Sequence, residues 1–233
     1  MNTLLVTGTD TNVGKTWVSC LLIRRLRSRG AVVGAYKPVC SGAIRQPDGS
    51  LQWDDIEQLR LATGRSASVD EICPQRFEAA VAPNVAARLQ GTTVDDVLLR
   101  SAADRRQQSC DSLIIEGAGG LLCPLSDQST VADLAADLNA PILIVAANRL
   151  GVLNHTLMTM EVARGRQLAI AGIVLNNGPG SASEADSSCA SNLSELQRWI
   201  PPLPLFLCES DRYDLQPVCH TDAAVGLLKS AEF

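Results

Sequence analysis

The stretch GTDTNVGKT, residues 8–16, decides how the rest of the chain is interpreted. Gly14, Lys15 and Thr16 match the end of the pattern G-x-x-x-x-G-K-[ST], and Gly8 stands one position earlier than that pattern places its first glycine. In such loops glycines let backbone amides turn toward phosphate oxygens, and the lysine reaches the outer phosphates. The β-prone run TLLVT precedes the stretch, and KTWVSCLLIRRLRSRG follows it with helical spacing and a glycine in the expected capping place. A strand, a glycine loop and a helix in this order predict a phosphate-binding loop.

Short β-prone runs alternate with longer segments whose apolar residues recur at helical spacing. The predicted strands are TLLVTG, AVVGAYKP, SLIIEGAGG, APILIVAAN, AIAGIVLNN and PLPLFL. Because residues 142–145 are apolar on both faces of a strand, we expect helices on both sides of the sheet. Residues 40–111 are predicted to be mostly helical, and residues 178–188 to form a surface loop. The predicted fold class is α/β, a single-domain P-loop NTPase fold over residues 1–233 with a mostly parallel sheet.

Composition and charge exclude several classes of partner. The 233 residues are 46% hydrophobic, which suffices for one good core, and 25 acidic against 20 basic residues give a net charge of -5. There is no basic field to recruit nucleic acid and no basic amphipathic membrane anchor, so we expect neither partner. The chain shows no signal-peptide pattern and no apolar span, and we expect a cytoplasmic protein. The eight scattered cysteines are expected to be mostly small buried apolar residues.

Two further predicted strand ends carry residues suited to phosphoryl transfer. Mg²⁺ needs more than one protein oxygen, and Glu116 at the end of SLIIE joins Thr16 as a candidate ligand. Lys37 ends the second strand in GAYKPVCSG, at the carboxyl edge that faces the ligand in an open α/β sheet. A lysine there can stabilise charge on a transferring phosphoryl group, and Ser41 can donate to a nearby oxygen.

Two signatures that this chain lacks narrow the class of P-loop protein. A GTPase would carry N-K-x-D after a strand, but the nearest candidate, NRLG at residues 148–151, lacks the aspartate that recognises guanine. Partitioning-type ATPases carry an extra lysine near the start of the loop, where this chain has Gly8, Thr9 and Asp10. The sequence therefore favours neither class.

Five blocks in order, TGTDTNVGKT, YKPVCSG, WDDIEQL, IIEGAGGLLCPL and NRLGVLNHTLMT, resemble the dethiobiotin synthetase family over most of the chain. The resemblance implies an ATP- and Mg²⁺-dependent ring closure in biotin synthesis. Carbon dioxide adds to one amine of 7,8-diaminononanoate, and the carbamate attacks the γ-phosphate to give a carbamic-phosphoric anhydride. The other amine then displaces phosphate and closes the ureido ring. The resemblance also implies a homodimer whose substrate pocket crosses the interface.

The same resemblance assigns residues to tasks, matched position by position. The catalytic residues would be Lys37, Lys15, Thr11 and Ser41. The ATP-binding residues would be Asn12, Val13, Gly14, Lys15, Thr16, Trp17, Glu116, Gly117, Ala118, Gly119, Asn176 and Asn177. The metal ligands would be Thr16, Asp55 and Glu116. The diamine would contact Ser41 and, from the neighbouring chain, the helix start formed by Gly151, Val152, Leu153 and Asn154, whose free amides suit its carboxylate.

Three positions leave alternatives. Either Asp54 or Asp55 of WDDIEQL can be the metal ligand; Asp55 fits better, and Asp54 is then expected to cap the helix. Asn176, rather than Asn177, matches the asparagine that contacts adenine. His155 is expected to pack or to hydrogen bond locally, because this chemistry needs no histidine base there.

The chain also departs from the family pattern. Ala82 and Asn84 stand beside Pro83, where the family often has a serine-proline-histidine element, so substrate contacts in residues 77–87 are left open. The late GxIP element is absent as well, which leaves purine contacts in residues 203–214 and the nucleotide preference open. Two other functions stay as alternatives: a related P-loop ligase of the cobyrinate type, and a partitioning-type ATPase whose output is binding to a partner.

Overall fold

The computed structural model describes residues 2–179, 181, 186–200, 202–209 and 215–218. The strands are β1 Asn2–Gly8, β2 Val33–Tyr36, β3 Cys40–Ser41, β4 Ile44–Arg45, β5 Leu51–Gln52, β6 Arg76–Phe77, β7 Ser112–Gly120, β8 Ile142–Ala147, β9 Ile170–Asn176, β10 Leu205–Cys208 and β11 Leu215–Pro217. The helices are α1 Lys15–Arg27, α2 Asp54–Ala62, α3 Val69–Ile72, α4 Pro83–Leu89, α5 Asp96–Gln108, α6 Val131–Asp137, α7 Val152–Gly165 and α8 Cys189–Trp199.

Seven strands form the main sheet in the order β11-β10-β9-β8-β1-β7-β2. Every neighbouring pair is parallel except β10 and β11, which are antiparallel. The strand that opens the chain therefore lies inside the sheet, where Leu5 pairs with Ile115 of β7 and with Ile142 of β8. The α/β fold class with a mostly parallel sheet is confirmed.

Helices cover both faces of the sheet, as its two-sided apolar strands predict. Leu4 and Val6 of β1 pack in one core with α1, α2 and α3, whereas Leu5 points the other way and packs in a second core with α5, α6, α7 and α8. Successive residues of a strand face opposite sides, so one buried strand contributes to both cores. This arrangement holds the carboxyl ends of β1, β2 and β7 at one edge of the sheet.

Some boundaries differ from the sequence-based prediction. Helix α1 ends at Arg27 with Ser28 as its cap, and Gly30, with φ +92°, lies in the turn that follows. The region 40–111 contains four two-residue strands besides its helices; β3 pairs with β6 and β4 pairs with β5. Such short pairings have no hydrophobic period to reveal them.

The prediction that Asp54 caps α2 was wrong. Trp53, with extended backbone at φ −116° and ψ 111°, is the residue before the first turn, and Asp54 is already helical. No side chain makes a cap hydrogen bond at this helix start. Asp54 can still favour the positive end of the helix through its charge.

Two segments on which the sequence makes predictions are only partly described by the structure. Residues 180 and 182–185 of the predicted surface loop and residues 210–214 of the late segment lie outside them. Within the described part of the chain, no helix is both long enough and apolar enough to cross a membrane. Cys20, Cys40, Cys73 and Cys208 are buried as free thiols, while three others are half-buried.

Candidate active site

The predicted phosphate loop connects β1 to the first turn of α1. Asn12 has φ +57° and Gly14 has φ +91°, so two residues of the loop have left-handed backbone conformations before the helix begins at Lys15. A Cβ on Gly8 would lie 2.6 Å from the carbonyl oxygen of Asp10, and a Cβ on Gly14 would lie 2.1 Å from Nδ2 of Asn176. Space therefore excludes a side chain at both glycines, and Gly14 is also the glycine that precedes Lys15 in the motif. The free amides of the first helical turn face the end of this loop, which is the usual arrangement for binding phosphate.

Two buried lysines face the site. Lys15 Nζ donates to the carbonyl oxygen of Asp10 over 3.1 Å, inside the loop itself. Burial and, after it, the neighbouring charge of Lys37 lower the pKa of Lys15. Lys37 follows the last residue of β2, is 3% exposed and lines the same cleft as Lys15.

Thr16, Lys37, Asp55 and Glu116 meet in one cluster, although they lie far apart in the sequence. Lys37 Nζ lies 2.6 Å from Oδ2 of Asp55 and 2.6 Å from Oε1 of Glu116. The Thr16 hydroxyl lies 2.9 Å from Oδ1 of Asp55 and 2.9 Å from Oε1 of Glu116. Since a hydroxyl carries one proton, Thr16 can donate to only one carboxylate at a time.

The charges in this cluster shift the pKa values of Lys37 and Asp55. Burial alone would lower the pKa of the Lys37 ammonium, but the carboxylates of Glu116 and Asp55 outweigh burial and hold that pKa well above its ordinary value. The Lys37 charge, against the opposing effect of burial, lowers the pKa of Asp55, and hydrogen bonds from Lys37 and Thr16 add to the shift. Lys37 therefore stays a cation and Asp55 an anion at neutral pH.

The three oxygen-bearing residues of the cluster fit Mg²⁺. Octahedral ligands about 2.1 Å from Mg²⁺ stand about 3 Å apart, which is close to the 2.9 Å between the Thr16 hydroxyl and each carboxylate. Oε2 of Glu116 is buried and has no hydrogen-bond partner in the described part of the chain. A buried carboxylate oxygen without a donor is costly, and a divalent cation would satisfy it. Thr16, Asp55 and Glu116 are accordingly suited to hold the ion.

The cluster opens into a cleft of about 980 Å³. Most of the predicted site residues line it: Thr11, Asn12, Gly14, Lys15, Thr16, Trp17, Lys37, Ser41, Asp55, Ala118 and Gly119. Three others, Val13, Glu116 and Gly117, are buried and do not line the cleft. Ser41 donates through Oγ to the carbonyl oxygen of Val81 over 2.6 Å. The structure thus gathers the predicted phosphate-binding residues, the candidate metal ligands and both lysines around one cleft.

The side-chain amide of Asn176, which was predicted to contact adenine, is buried and hydrogen bonded within the chain. It is fully buried, its Nδ2 donates to the carbonyl oxygens of Val13 (3.0 Å) and Pro179 (2.7 Å), and its Oδ1 accepts from the amide of Gly178 (2.9 Å). In this arrangement its amide ties the phosphate loop to the end of β9. The adenine contact stays a prediction.

The predicted substrate helix start, residues 151–154, does not line the cleft of its own chain. Gly151, with φ +93°, precedes the first residue of α7, so the expected helix start is in place. His155 is exposed, and with residues of the loops after β1 and β7 it lines a second cavity of about 310 Å³. Whether the helix start completes a neighbouring chain's site stays a prediction.

Sequence reasoning missed several residues around the site. Val39, Cys40, Gln58, Cys123 and Pro179 also line the cleft. Four of them lie inside the quoted blocks YKPVCSG, WDDIEQL and IIEGAGGLLCPL, so their position beside motif residues was the available signal. Burial raises the pKa of Cys40 to about 11, which keeps it a neutral thiol.

The loop before α7 is joined to the rest of the site by contacts that no motif reveals. Asn148 donates through Nδ2 to Oδ1 of Asn177 over 2.7 Å and accepts through Oδ1 from Asn192 over 2.8 Å. The next residue, Arg149, pairs with Oδ2 of Asp10 over 3.2 Å. The phosphate loop and the start of α7 are therefore linked through side chains.

Comparisons with known proteins give a consistent result. A family model described as AAA domain, AAA_26, matches residues 2–205. An "ATP-dependent dethiobiotin synthetase BioD" of Anaeromyxobacter dehalogenans strain 2CP-1 is 43% identical and covers 91% of this chain and 92% of its own. The protein of the same name from Rhodopirellula baltica is 40% identical and covers 83% of this chain and 78% of its own.

Solved structures show the fold alone. The signal recognition particle receptor FtsY of Elizabethkingia anophelis is 14% identical with a TM-score of 0.52, covering 98% of this chain and 64% of its own. A complex of a Cyanothece McdA variant with ATP is 17% identical with a TM-score of 0.50, covering 91% of this chain and 85% of its own. The phosphate-loop geometry and the long matches to named relatives agree, and the chain belongs to the family of ATP-dependent dethiobiotin synthetases.

Proposed function

We propose that this chain closes the ureido ring of dethiobiotin from 7,8-diaminononanoate, carbon dioxide and ATP, and releases ADP and phosphate. The observation that carries the proposal is the cluster in which the Lys37 ammonium lies 2.6 Å from both Asp55 and Glu116, at the edge of the phosphate-loop cleft. A triphosphate bound on the loop would end beside this cluster, next to its ammonium group and its candidate metal ligands. The long match to named dethiobiotin synthetases supports the same reaction.

The phosphate loop is suited to hold ATP. Its amides and the N-terminus of α1 would take the phosphate oxygens, and Lys15 would leave the carbonyl oxygen of Asp10 to contact the outer phosphates. Thr16, Asp55 and Glu116 would hold Mg²⁺, which supplies charge neutralisation on the phosphates. The protein's contribution is therefore positioning and electrostatics.

In the proposed reaction a carbamate must approach the γ-phosphate of ATP, and the two lysines can stabilise these negative charges. A diamine nitrogen attacks carbon dioxide and loses a proton, giving a carbamate. A carbamate oxygen attacks the γ-phosphorus, and the bond to ADP breaks. Lys37 and Lys15 stabilise both anions as they approach, because both lysines are buried at a site where water screens charge little. The second amine then attacks the carbonyl carbon of the carbamic-phosphoric anhydride and loses a proton, the bond from that carbon to phosphate breaks, and the ring closes.

Substrate placement is proposed to use both edges of the cleft. Thr11 and Ser41 line it beside the lysines and can donate to the carbamate or accept from the diamine. The carboxylate of the diamine would lie at residues 151–154 of a second copy in a homodimer, at the start of α7, where the amide of Val152 already donates to the carbonyl oxygen of Arg149. Leu150, 79% exposed beside that helix start, is suited to packing in such an interface.

Incubation with 7,8-diaminononanoate, isotopically labelled bicarbonate and MgATP tests the proposal. We expect a cyclic urea that carries the label, detected by mass spectrometry, and ADP release that depends on the diamine. Trp199→Phe, at an exposed position on α8, is the matched control and is expected to react like the unaltered chain. An equal rate of ADP release with and without the diamine, and no labelled cyclic product, would contradict the proposed reaction. That result would favour an ATPase whose output is binding to a partner.

A further inference from the structure

The contacts of Lys37 point to a second role for this residue, in the binding of the metal ion. We propose that the Lys37 ammonium competes with Mg²⁺ for Asp55 and Glu116, so that Mg²⁺ enters the site tightly only together with the nucleotide. The inference rests on the magnesium part of the proposed function and not on the diamine reaction. It makes Lys37 a determinant of the order in which ligands bind.

The lysine and the candidate metal site share two carboxylates, and at Glu116 the Lys37 ammonium and the Thr16 hydroxyl share one oxygen. Oε1 of Glu116 accepts from both Lys37 (2.6 Å) and Thr16 (2.9 Å), so a cation held by Thr16 and Glu116 meets an oxygen that already serves the ammonium. Asp55 divides its oxygens, with Oδ2 on Lys37 and Oδ1 on Thr16. Two cations bound to one carboxylate oxygen repel each other strongly in a buried site, where water screens little. Two cations held by the same carboxylate repel each other even when each uses a different oxygen, such as Oε1 of Glu116 and its Oε2, which has no hydrogen-bond partner among the described residues. Metal binding therefore tightens when the ammonium moves away.

The ammonium has little freedom to leave by itself. Lys37 is 3% exposed and follows a strand whose four residues are all buried, so its charge cannot simply turn into water. It needs another anion in the cleft. The terminal phosphate of ATP, bound on the adjacent loop, would be that anion, and the Lys37 ammonium would then pair with the phosphate instead of with the carboxylates.

Charge balance gives the same order of events. The ammonium groups of Lys15 and Lys37 balance the carboxylates of Asp55 and Glu116 in number, and Lys37 lies 2.6 Å from an oxygen of each carboxylate. A divalent ion entering alone would leave two positive charges uncompensated in a buried cluster. An ion that enters with a triphosphate brings its own compensation.

Binding of Mn²⁺ to the full chain, followed by electron paramagnetic resonance without nucleotide, tests the inference. We expect Lys37→Met to bind Mn²⁺ at least about tenfold more tightly than the unaltered chain, because the competing cation is gone. Lys15→Met is the matched control: it also removes a buried ammonium from the cleft, but Lys15 donates to the Asp10 carbonyl oxygen rather than to a carboxylate. Its Mn²⁺ affinity is expected to rise by less than about threefold.

Equal tightening by both substitutions would overturn the inference, since it would show a general charge effect rather than competition for shared oxygens. Lys37→Arg, which keeps the charge, is expected to bind Mn²⁺ as weakly as the unaltered chain. If Lys37→Met does not fold, as judged by circular dichroism, Lys37→Gln replaces it. Mn²⁺ that binds the unaltered chain equally tightly with and without a nonhydrolysable ATP analogue would also overturn the inference, whatever the variants do. Since no diamine or bicarbonate is present, failure of the proposed reaction would leave these results unchanged.

Discussion

Gly14 and Gly30 form a matched pair in which only the surroundings differ. Their φ angles are +91° and +92°, but a Cβ on Gly30 would meet nothing within 4 Å, whereas a Cβ on Gly14 would lie 2.1 Å from Nδ2 of Asn176. Replacing each by alanine therefore imposes the same backbone strain, of about 1–2 kcal/mol. Only Gly14→Ala also displaces a neighbour.

The extra cost follows from what Asn176 gives up. Its amide makes two hydrogen bonds as donor, to Val13 and Pro179, and accepts one from the amide of Gly178. At about 1 kcal/mol each, their loss adds about 3 kcal/mol to the strain. We expect the free energy of unfolding to fall by about 4–5 kcal/mol in Gly14→Ala and by about 1–2 kcal/mol in Gly30→Ala.

Urea denaturation of the two variants measures this difference directly, and titration with a nonhydrolysable ATP analogue adds a functional measurement. Because Asn176 holds the phosphate loop at Val13, we expect Gly14→Ala to bind the nucleotide at least about tenfold more weakly, and Gly30→Ala to bind it normally. Equal stability losses in the two variants would refute the role given to the Gly14 contact. Equal nucleotide affinities would refute the link from Asn176 to the loop.

Three other outcomes follow from the site and its surroundings. Lys37→Gln is expected to lower turnover by at least about a hundredfold while ATP still binds, measured by steady-state assay and calorimetry; unchanged turnover would exclude charge stabilisation by Lys37. Glu116→Gln is expected to raise the Mg²⁺ concentration needed for half-maximal activity, and an unaltered titration would assign the ion to another carboxylate. Hydrogen bonds from Ser68 lower the pKa of Glu71, so this group adds stability above its unfolded-state pKa and loses it as pH falls through the lower folded value. Glu71→Gln is expected to flatten the loss of stability on acidification, followed by urea denaturation, whereas an unchanged acid profile would contradict that assignment.

Local patterns predicted the parts of the site that depend on chain neighbours. The strand, glycine loop and helix around residues 8–16 are read from period and spacing, and Lys37 was placed at a strand end because a buried run stops there. Its partners were not predicted from spacing, since Asp55 and Glu116 lie 18 and 79 residues away and only the parallel sheet brings them together. The resemblance named both carboxylates as metal ligands but not their contact with Lys37.

Other features depend on tertiary contacts that leave no local trace. The capping prediction for Asp54 failed because Trp53, which is not a usual cap residue, ends the extended segment before α2. The chain of amides through Asn148 involves residues 29 and 44 positions away, so neither period nor motif reveals it. Antiparallel β11 was missed because a three-residue strand carries too little pattern.

The central position of β1 in the sheet has a consequence for synthesis of the chain. Its partners are β7, which begins at Ser112, and β8, which ends at Ala147, so β1 is made long before either of its neighbours in the sheet. At roughly 5–20 residues per second, this interval is on the order of ten seconds. The phosphate loop is held between partners of β1, since Gly8 pairs with Gly120 and Val145. A nucleotide on this loop can therefore stabilise the fold only after β7 and β8 have been made, and it cannot guide the folding steps that precede them.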